Sequence, residues 1–363
     1  MLQVICDRQA LHAIPELELE LPKTAAYIRS ALEGLNCRVF SPMEHGVCAF
    51  FDFGADDAIA FRADMDALPI TEQTNLPFAS RHPGRMHACG HDGHMAILLE
   101  LARRLSEKKT LPHNVLLIFQ PGEESPGGAK AICATGILER CKVKAVFGLH
   151  LWPGLAGGVM HTREKELMSH GAELTVDVYG RSSHIGNAAA GIDATAAAVE
   201  FYTRVRAVEA ALPPAVFRLL NFGKFESGTV RNALSAHAHL EGSLRAFQDD
   251  VFDHLQQTLF DVKADVEAKF GCTVQVHLDE GYPAVMNDPA LVEKVRRIGD
   301  VQLLEKPYMA SEDFSEYQCR VPGVFFFLGI GDTPPLHATT FDFDEEILLK
   351  GAGFFETLAE NFQ

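Results

Sequence analysis

A chain of 363 residues that is 47% hydrophobic is long enough to bury a large core and to divide into two domains. Its 32 basic residues stand against 49 acidic ones, a formal charge of −17, with no stripe of Lys or Arg, which argues against nucleic acid as a partner. No apolar run approaches the roughly 20 residues that span a bilayer, and the N-terminal segment lacks a charged stretch followed by an unbroken apolar one, so the expected setting is soluble and cytoplasmic, without a membrane partner.

From the N-terminus, "MLQVICDRQALHAIPELELELPKTAAYIRSAL" reads as amphipathic helix with a proline-punctuated break. Strand-like and helix-like stretches then alternate: "GVCAFFDFG", "AIAFRADMDALPI", a helix "HMAILLELARRLSEK", "NVLLIFQP", a helix "GGAKAICATGILE" and "AVFGLHLWP". Nearly continuous apolar strands alternating with helices predict an α/β fold, a mixed, mainly parallel sheet with helices on both faces. In such sheets ligands bind beyond the strand C-termini, where the chemically rich residues of this chain fall.

The rhythm changes from about Ser169. A strand "AELTVDVYG", a helix "GIDATAAAVEFYTRVRAVEAAL", strands "VFRLLNFGKFESG" and "SAHAHLEGSLRAF", a helix "DDVFDHLQQTLFDVKADVEAKFG" and a strand "TVQVHLDEGYP" make a βαββαβ unit. The prediction is an inserted α+β domain over 169–282, interrupting a discontinuous catalytic domain of 1–168 and 283–363. Eight cysteines (Cys6, Cys37, Cys48, Cys89, Cys133, Cys141, Cys272, Cys319) show no CxxC pairing. Seven are expected to be reduced, buried small hydrophobes; Cys89 is set apart by its neighbours.

Four segments place metal-ligand types at strand ends: "HACGHDGH", "QPGEES", "GLHLWP" and "PLHATTF". Cys89 and His91 flank Gly90, a spacing that lets both converge in a tight turn, and thiolate, imidazole and carboxylate together suit zinc and its neighbours. Glu123 and Glu124 follow a buried strand, an expensive place for adjacent carboxylates unless a cation lies near. Because adjacent side chains point differently, one can hold a cation while the other takes a proton from the attacking water and returns it to a leaving amine.

Together with "LHAIPELELELPKT", "FRADMDALPI" and "SEDFSEY", these motifs run through essentially the whole chain, which resembles the metallopeptidase family of aminoacylases, carboxypeptidase G and bacterial dipeptidases. Within it the sequence is most similar to the N-acyl-amino-acid amidohydrolases: hippurate hydrolase, indole-acetyl-amino-acid hydrolases and N-acetyldiaminopimelate deacetylase. The resemblance implies two divalent metal ions (Zn, Mn, Co or Ni) held by Cys89, His91, Glu124, His150 and His337, with Glu123 as general base. Asp64, standing where other branches place a ligating His, and Asp66 are implied to support the ligands rather than bind metal; Asp92 and His94 either support the site or cap the helix.

In the inserted domain, "GRSSHIGNAAAGID" is similar to the lid segment whose histidine polarises the scissile carbonyl, here His184, and Asn232 in "SGTVRNAL" matches a lid residue that approaches substrate. Ser182, Ser183, Ala188 and Ala189 replace the Gly-Gly and Pro-His usual around that histidine, so the resemblance implies the hydrolytic machinery and not the substrate preference. It further implies a homodimer through the lid, acting on a small N-acyl amino acid. A metal-dependent dipeptidase or aminopeptidase is the alternative, with a non-catalytic metal-binding relative and a hydrolase using Cys89 as nucleophile behind it.

Overall fold

A computed structural model describes residues 2–363, and the chain separates into two compact units. The first comprises the chain up to Leu167, Val285–Pro307 and Glu312–Gln363; the second comprises Met168–Ala284 and Tyr308–Ser311.

The first unit is built on eight strands in the spatial order Arg38–Phe40, Val47–Phe51, Asn114–Gln120, Ala58–Asp64, Val143–Trp152, Gly323–Gly329, Met160–Thr162 and Val301–Leu303. The central pairings are parallel, and the sheet turns antiparallel at one edge and where Gly323–Gly329 meets Met160–Thr162. Every residue of Ala58–Asp64, Asn114–Gln120 and Gly323–Gly329 is buried, which requires cover on both faces and explains why these strands read as continuous rather than alternating apolar runs. The helix His91–Ser106 inserts Met95, Ile97, Leu98, Leu101 and Ala102 into the resulting core, and the C-terminal helix Leu348–Asn361 adds Phe355 and Leu358.

Three local expectations are corrected. The stretch "GGAKAICATGILE" forms two short helices, Gly128–Ala134 and Ile137–Arg140, because Gly136 takes a left-handed conformation (φ +70°) between them. The N-terminal helix Gln3–His12 buries Asp7, Arg8 and His12 along with Val4 and Leu11, so its inner face is polar as well as apolar. Among the cysteines taken as core, Cys319 is exposed and Cys6 and Cys37 are only partly buried.

In the second unit, four antiparallel strands lie in the order Thr273–Leu278, His170–Tyr179, His237–Ala246 and Arg218–Ser227. The helices Ala194–Ala211 and Asp249–Phe270 pack Ala197, Phe201, Val205, Leu255, Leu259 and Val266 against Val176, Val178, Leu220, Leu240 and Leu244. The two central strands alternate between buried apolar and outward, mainly polar residues over 172–178 and 238–241, the pattern of a sheet covered on one face. The unit also takes in Tyr308–Ser311: Ser169 N–H donates to the Ala310 carbonyl at 2.8 Å, and Met168 bridges Tyr308, a return that no local pattern signals. Among the described residues, no helix is long and apolar enough to cross a membrane.

Candidate metal centre and active site

The centre is assembled from the ends of four buried strands and the loops that follow them, all in the first unit. Gly90 caps the helix His91–Ser106 with φ +89°, where a side chain would be strained, and this turn aims Cys89 and His91 into the same space. One ligand-type atom from each of Cys89, His91 and His150 lies within 4.8 Å of the others; so do atoms of Cys89, Glu124 and His337, and of His91, Glu123 and Glu124. The residues singled out on four separate sequence segments therefore meet in one cluster.

Both inner histidines are oriented by their Nδ1 atoms. His91 Nδ1 lies 2.8 Å from the Asp66 carbonyl, and His150 Nδ1 lies 2.7 Å from the Leu151 carbonyl. A donor Nδ1–H on a carbonyl leaves Nε2 as a lone pair facing the cluster, the tautomer a metal requires. His91 Nε2 is buried without a hydrogen-bond partner, 4.0 Å from both Glu123 and Glu124, and His150 Nε2 lies 3.3 Å from Cys89 Sγ. His337 is half exposed at φ +66°, its Nε2 3.4 Å from Glu124. An orphaned imidazole nitrogen among a thiol, two carboxylates and two more imidazoles is a donor set that fits a borderline divalent metal.

Asp66 fixes the glutamate pair. Its Oδ1 accepts the Glu123 N–H at 2.9 Å and its Oδ2 the Glu124 N–H at 3.0 Å, so one carboxylate dictates how both glutamates leave the backbone. Gly128 closes the same loop so tightly that a Cβ there would stand 1.8 Å from the Pro121 oxygen. Asp64 has both oxygens engaged, one by His94 Nδ1 at 2.6 Å and the other by Arg62 at 2.8 Å. His94 Nε2 in turn accepts the Leu151 N–H at 2.9 Å. With both ring nitrogens committed, His94 is a support and not a ligand, and it caps nothing.

Electrostatics separate the two glutamates. Burial, followed by the charges of Glu312 and Glu124, pushes the Glu123 carboxyl well above its ordinary value. Burial acts the same way on Glu124, but the neighbouring His337 and the charge of His91 outweigh it and hold that carboxyl low. Burial, with Glu124 and Glu123 beside it, also pushes the Cys89 thiol well up. Burial opposes a charge on His91, yet Asp64, Asp66 and Glu124 raise its proton affinity to about 10. The carboxylates around His91 favour a positive charge at that position.

Two buried networks behind the cluster escape the sequence reading. Arg62, 1% exposed, donates to Asp64, Asp313 and Gln120 and lies 3.1 Å from Glu312. Asp92 pairs with Arg8 at 3.0 Å and His12 at 2.8 Å, and His12 continues to Glu72. Asp92 is therefore an ion-pair partner rather than a cap. His87 is buried as well, with neither ring nitrogen paired among the described residues.

His184 and Asn232 lie in the second unit, and within it the structure brings them together. Ile185 N–H donates to the Asn232 carbonyl at 3.0 Å, and His184 bridges Ala233. The His184 ring is exposed and accepts the Gly186 N–H at 3.1 Å, while the helix Ala194–Ala211 is capped by Asp193.

The sequence matches the model of Peptidase family M20/M25/M40 over residues 60–361. An uncharacterized hydrolase of Staphylococcus epidermidis is 33% identical over 375 aligned positions, spanning 99% of this chain and 98% of that protein. Among solved structures, a methicillin-resistant Staphylococcus aureus protein provisionally described as an aminohydrolase superposes with a TM-score of 0.91 at 31% identity, over 99% of this chain and 96% of that one. A Bacillus subtilis protein described as a dinuclear metal binding peptidase superposes with a TM-score of 0.84 at 31% identity, over 98% and 96%.

Proposed function

Because the chain belongs to Peptidase family M20/M25/M40 and is a metal-dependent amide hydrolase, we propose that it uses two divalent ions to cleave N-acyl amino acids into a carboxylic acid and a free amino acid. The observation that carries the reading is the divided glutamate pair: two adjacent carboxyls fixed by Asp66, one with raised and one with lowered proton affinity. When bound, the metals supply Lewis acidity, making the attacking water more acidic and the scissile carbonyl more electrophilic.

Cys89, His91, Glu124, His150 and His337 are the proposed ligands. Glu123 removes a proton from the attacking water and passes it to the departing amine nitrogen, a role suited to a carboxyl whose proton affinity is raised by burial and by the charges of Glu312 and Glu124. His184 donates a hydrogen bond to the oxygen on which charge develops, and Asn232, one backbone contact away, holds the substrate beside it.

Two observations support the finer claims. The other carboxylates of the cluster, Asp64, Asp66, Glu312 and Asp313, all accept hydrogen bonds from the chain itself, so they are not held ready for the free ammonium group that an aminopeptidase or dipeptidase must hold. A homodimer through the second unit is supported by its edge strand Arg218–Ser227. There Leu219 and Phe225 are exposed, alongside Phe217 and, on the neighbouring helix, Val199 and Tyr202.

The test is a panel of N-acetyl, N-benzoyl and longer N-acyl amino acids against dipeptides, with Mn, Co, Zn and Ni. Release of acid from N-acyl amino acids, falling when the substrate carboxylate is amidated, is the expected result; faster release of amino acids from dipeptides would replace the reading with a peptidase. Mixing His184→Ala with Glu123→Gln protein tests the dimer, since regained activity after subunit exchange requires His184 to serve its partner's site.

A further inference from the structure

The second unit carries a cluster of metal-ligating side chains that the hydrolytic site does not use. On the strand His237–Ala246, Ala238, Leu240, Leu244 and Ala246 are buried beneath the helices, so period-two alternation turns His237, His239 and Glu241 onto the open face. The neighbouring strand His170–Tyr179 runs antiparallel and places Asp177 directly opposite His239 and Tyr179 opposite His237. The register thus fixes a carboxylate against two imidazoles on rigid backbone.

The three side chains converge on one point. Asp177 Oδ1 lies 2.7 Å from His237 Nε2 and 2.9 Å from His239 Nδ1. The His237 ring stacks on Tyr179 with centroids 4.9 Å apart, which restrains its rotation. On the far side, His239 Nε2 is 2.7 Å from Glu241, and Lys224 reaches Glu241 at 3.0 Å and Glu226 at 3.6 Å. Three carboxylates face a single ammonium, so with neutral imidazoles the patch is short of positive charge by two. Hydrogen bonds with Glu241 and then Asp177 raise the proton affinity of His239, which reports the same deficit.

We propose that Asp177, His237 and His239 form a further metal site, separate from the hydrolytic cluster, which binds one divalent ion of the zinc class. Two imidazoles and one carboxylate are a ligand set for Zn²⁺, Ni²⁺ or Cu²⁺ and a poor one for Mg²⁺ or Ca²⁺. Bonds of about 2.0–2.2 Å in a tetrahedral sphere separate ligand atoms by roughly 3.3 Å, so an ion enters if Asp177 withdraws by a fraction of an ångström from its present hydrogen bonds. A cavity of about 570 Å³ lined by both histidines, Lys224 and Glu226 lies beside them, with room for a water or an exchangeable ligand. Bound there, the ion ties two strands of the sheet together and stabilises the folded state by mass action.

The competing account is a hydrogen-bonded network in which protons do the work of the ion. Equilibrium dialysis of the full chain against zinc chloride, with metal counted by mass spectrometry, separates the two. Wild type should hold one more equivalent per chain than His237→Gln/His239→Gln at the same free zinc. Asp177→Asn should weaken that equivalent at least about tenfold, the lower end of what disturbing a metal's surroundings costs. Both substitutions fall on the open face and leave the apolar core intact, and circular dichroism without zinc checks this. Should a variant misfold, the imidazole nitrogen resonances of wild type decide alone: zinc must shift His237 Nε2 and His239 Nδ1. Equal zinc counts in wild type and the folded double variant, or unshifted resonances at saturating zinc, would overturn the site.

Discussion

The two units use charge in opposite ways. The first buries Arg8, His12, Arg62, Asp64, Asp66, His87, His91, Asp92, His94, Glu123, Glu312 and Asp313, whereas the buried polar residues of the second, among those described, are Ser169, Ser235 and Thr258. The second is a conventional one-sided sheet whose interior is mainly Ala, Val, Leu and Phe and whose titratable groups stand on the open face and on the helices. Interring a charge is costly unless it is paired and hydrogen-bonded, so the first unit surrounds its cluster with Arg62 and Arg8, each holding several carboxylates. Stability in the second unit rests on apolar burial; in the first, part of it has been exchanged for electrostatic preorganisation.

Substitutions that strike the charge of one unit and the packing of the other sharpen this contrast. The largest effect is expected from Glu123→Gln: metals retained, turnover lower by about 10²–10⁴-fold, the usual range for a lost general base. Glu124→Gln should instead reduce metal content, and reversal of the two phenotypes would exchange their roles. Next, Arg62→Met strands Asp64, Glu312 and Asp313 and should cost roughly 3–5 kcal/mol in urea unfolding of the metal-free protein. In the second unit, Leu240→Ala should cost about 3 kcal/mol through a cavity, by the same amount at pH 6 and pH 9.

A smaller effect concerns pH alone. Burial disfavours a charge on His12, but Asp92 and Glu72 raise its pKa from 6.5 to about 9. Its folded pKa lies above its unfolded one, so its stabilisation is fully present below about 6.5 and is lost as pH rises through about 9. Melting curves over that window should flatten in His12→Gln. The smallest change should come from Arg204→Gln, which breaks an exposed pair with Asp265 and should move stability by less than about 1 kcal/mol; a loss comparable with that of Arg62→Met would erase the distinction between the units.

The pattern of strands and helices was legible because continuous apolar runs and strict alternation are local signals, and the two units have different ones. The cluster was legible for a similar reason: Cys89 and His91, Glu123 and Glu124, His150 and His337 each lie in a short motif at a strand end. The supporting network was less so. Arg8 meets Asp92 across 84 residues and Asp342 across 334, and no local pattern encodes such a pairing. Arg62 could have been found, since an arginine inside the otherwise apolar "AIAFRAD" must be neutralised by something, but the sequence does not say that Glu312 and Asp313 are the partners. Tyr308–Ser311 crossed from one unit to the other for want of any signature at all.

One backbone contact joins the two ends of the proposed ligand set. His337 N–H donates to the Ala88 carbonyl at 2.8 Å, so the loop bearing the last proposed ligand is registered on the segment bearing the first. On a ribosome these segments emerge far apart in time, and such non-local contacts close late in folding. A nascent chain that has released Cys89, His91, Glu124 and His150 still lacks His337 and the hydrogen bond that seats it. A chain that ended before His337 would offer an incomplete set of the proposed ligands.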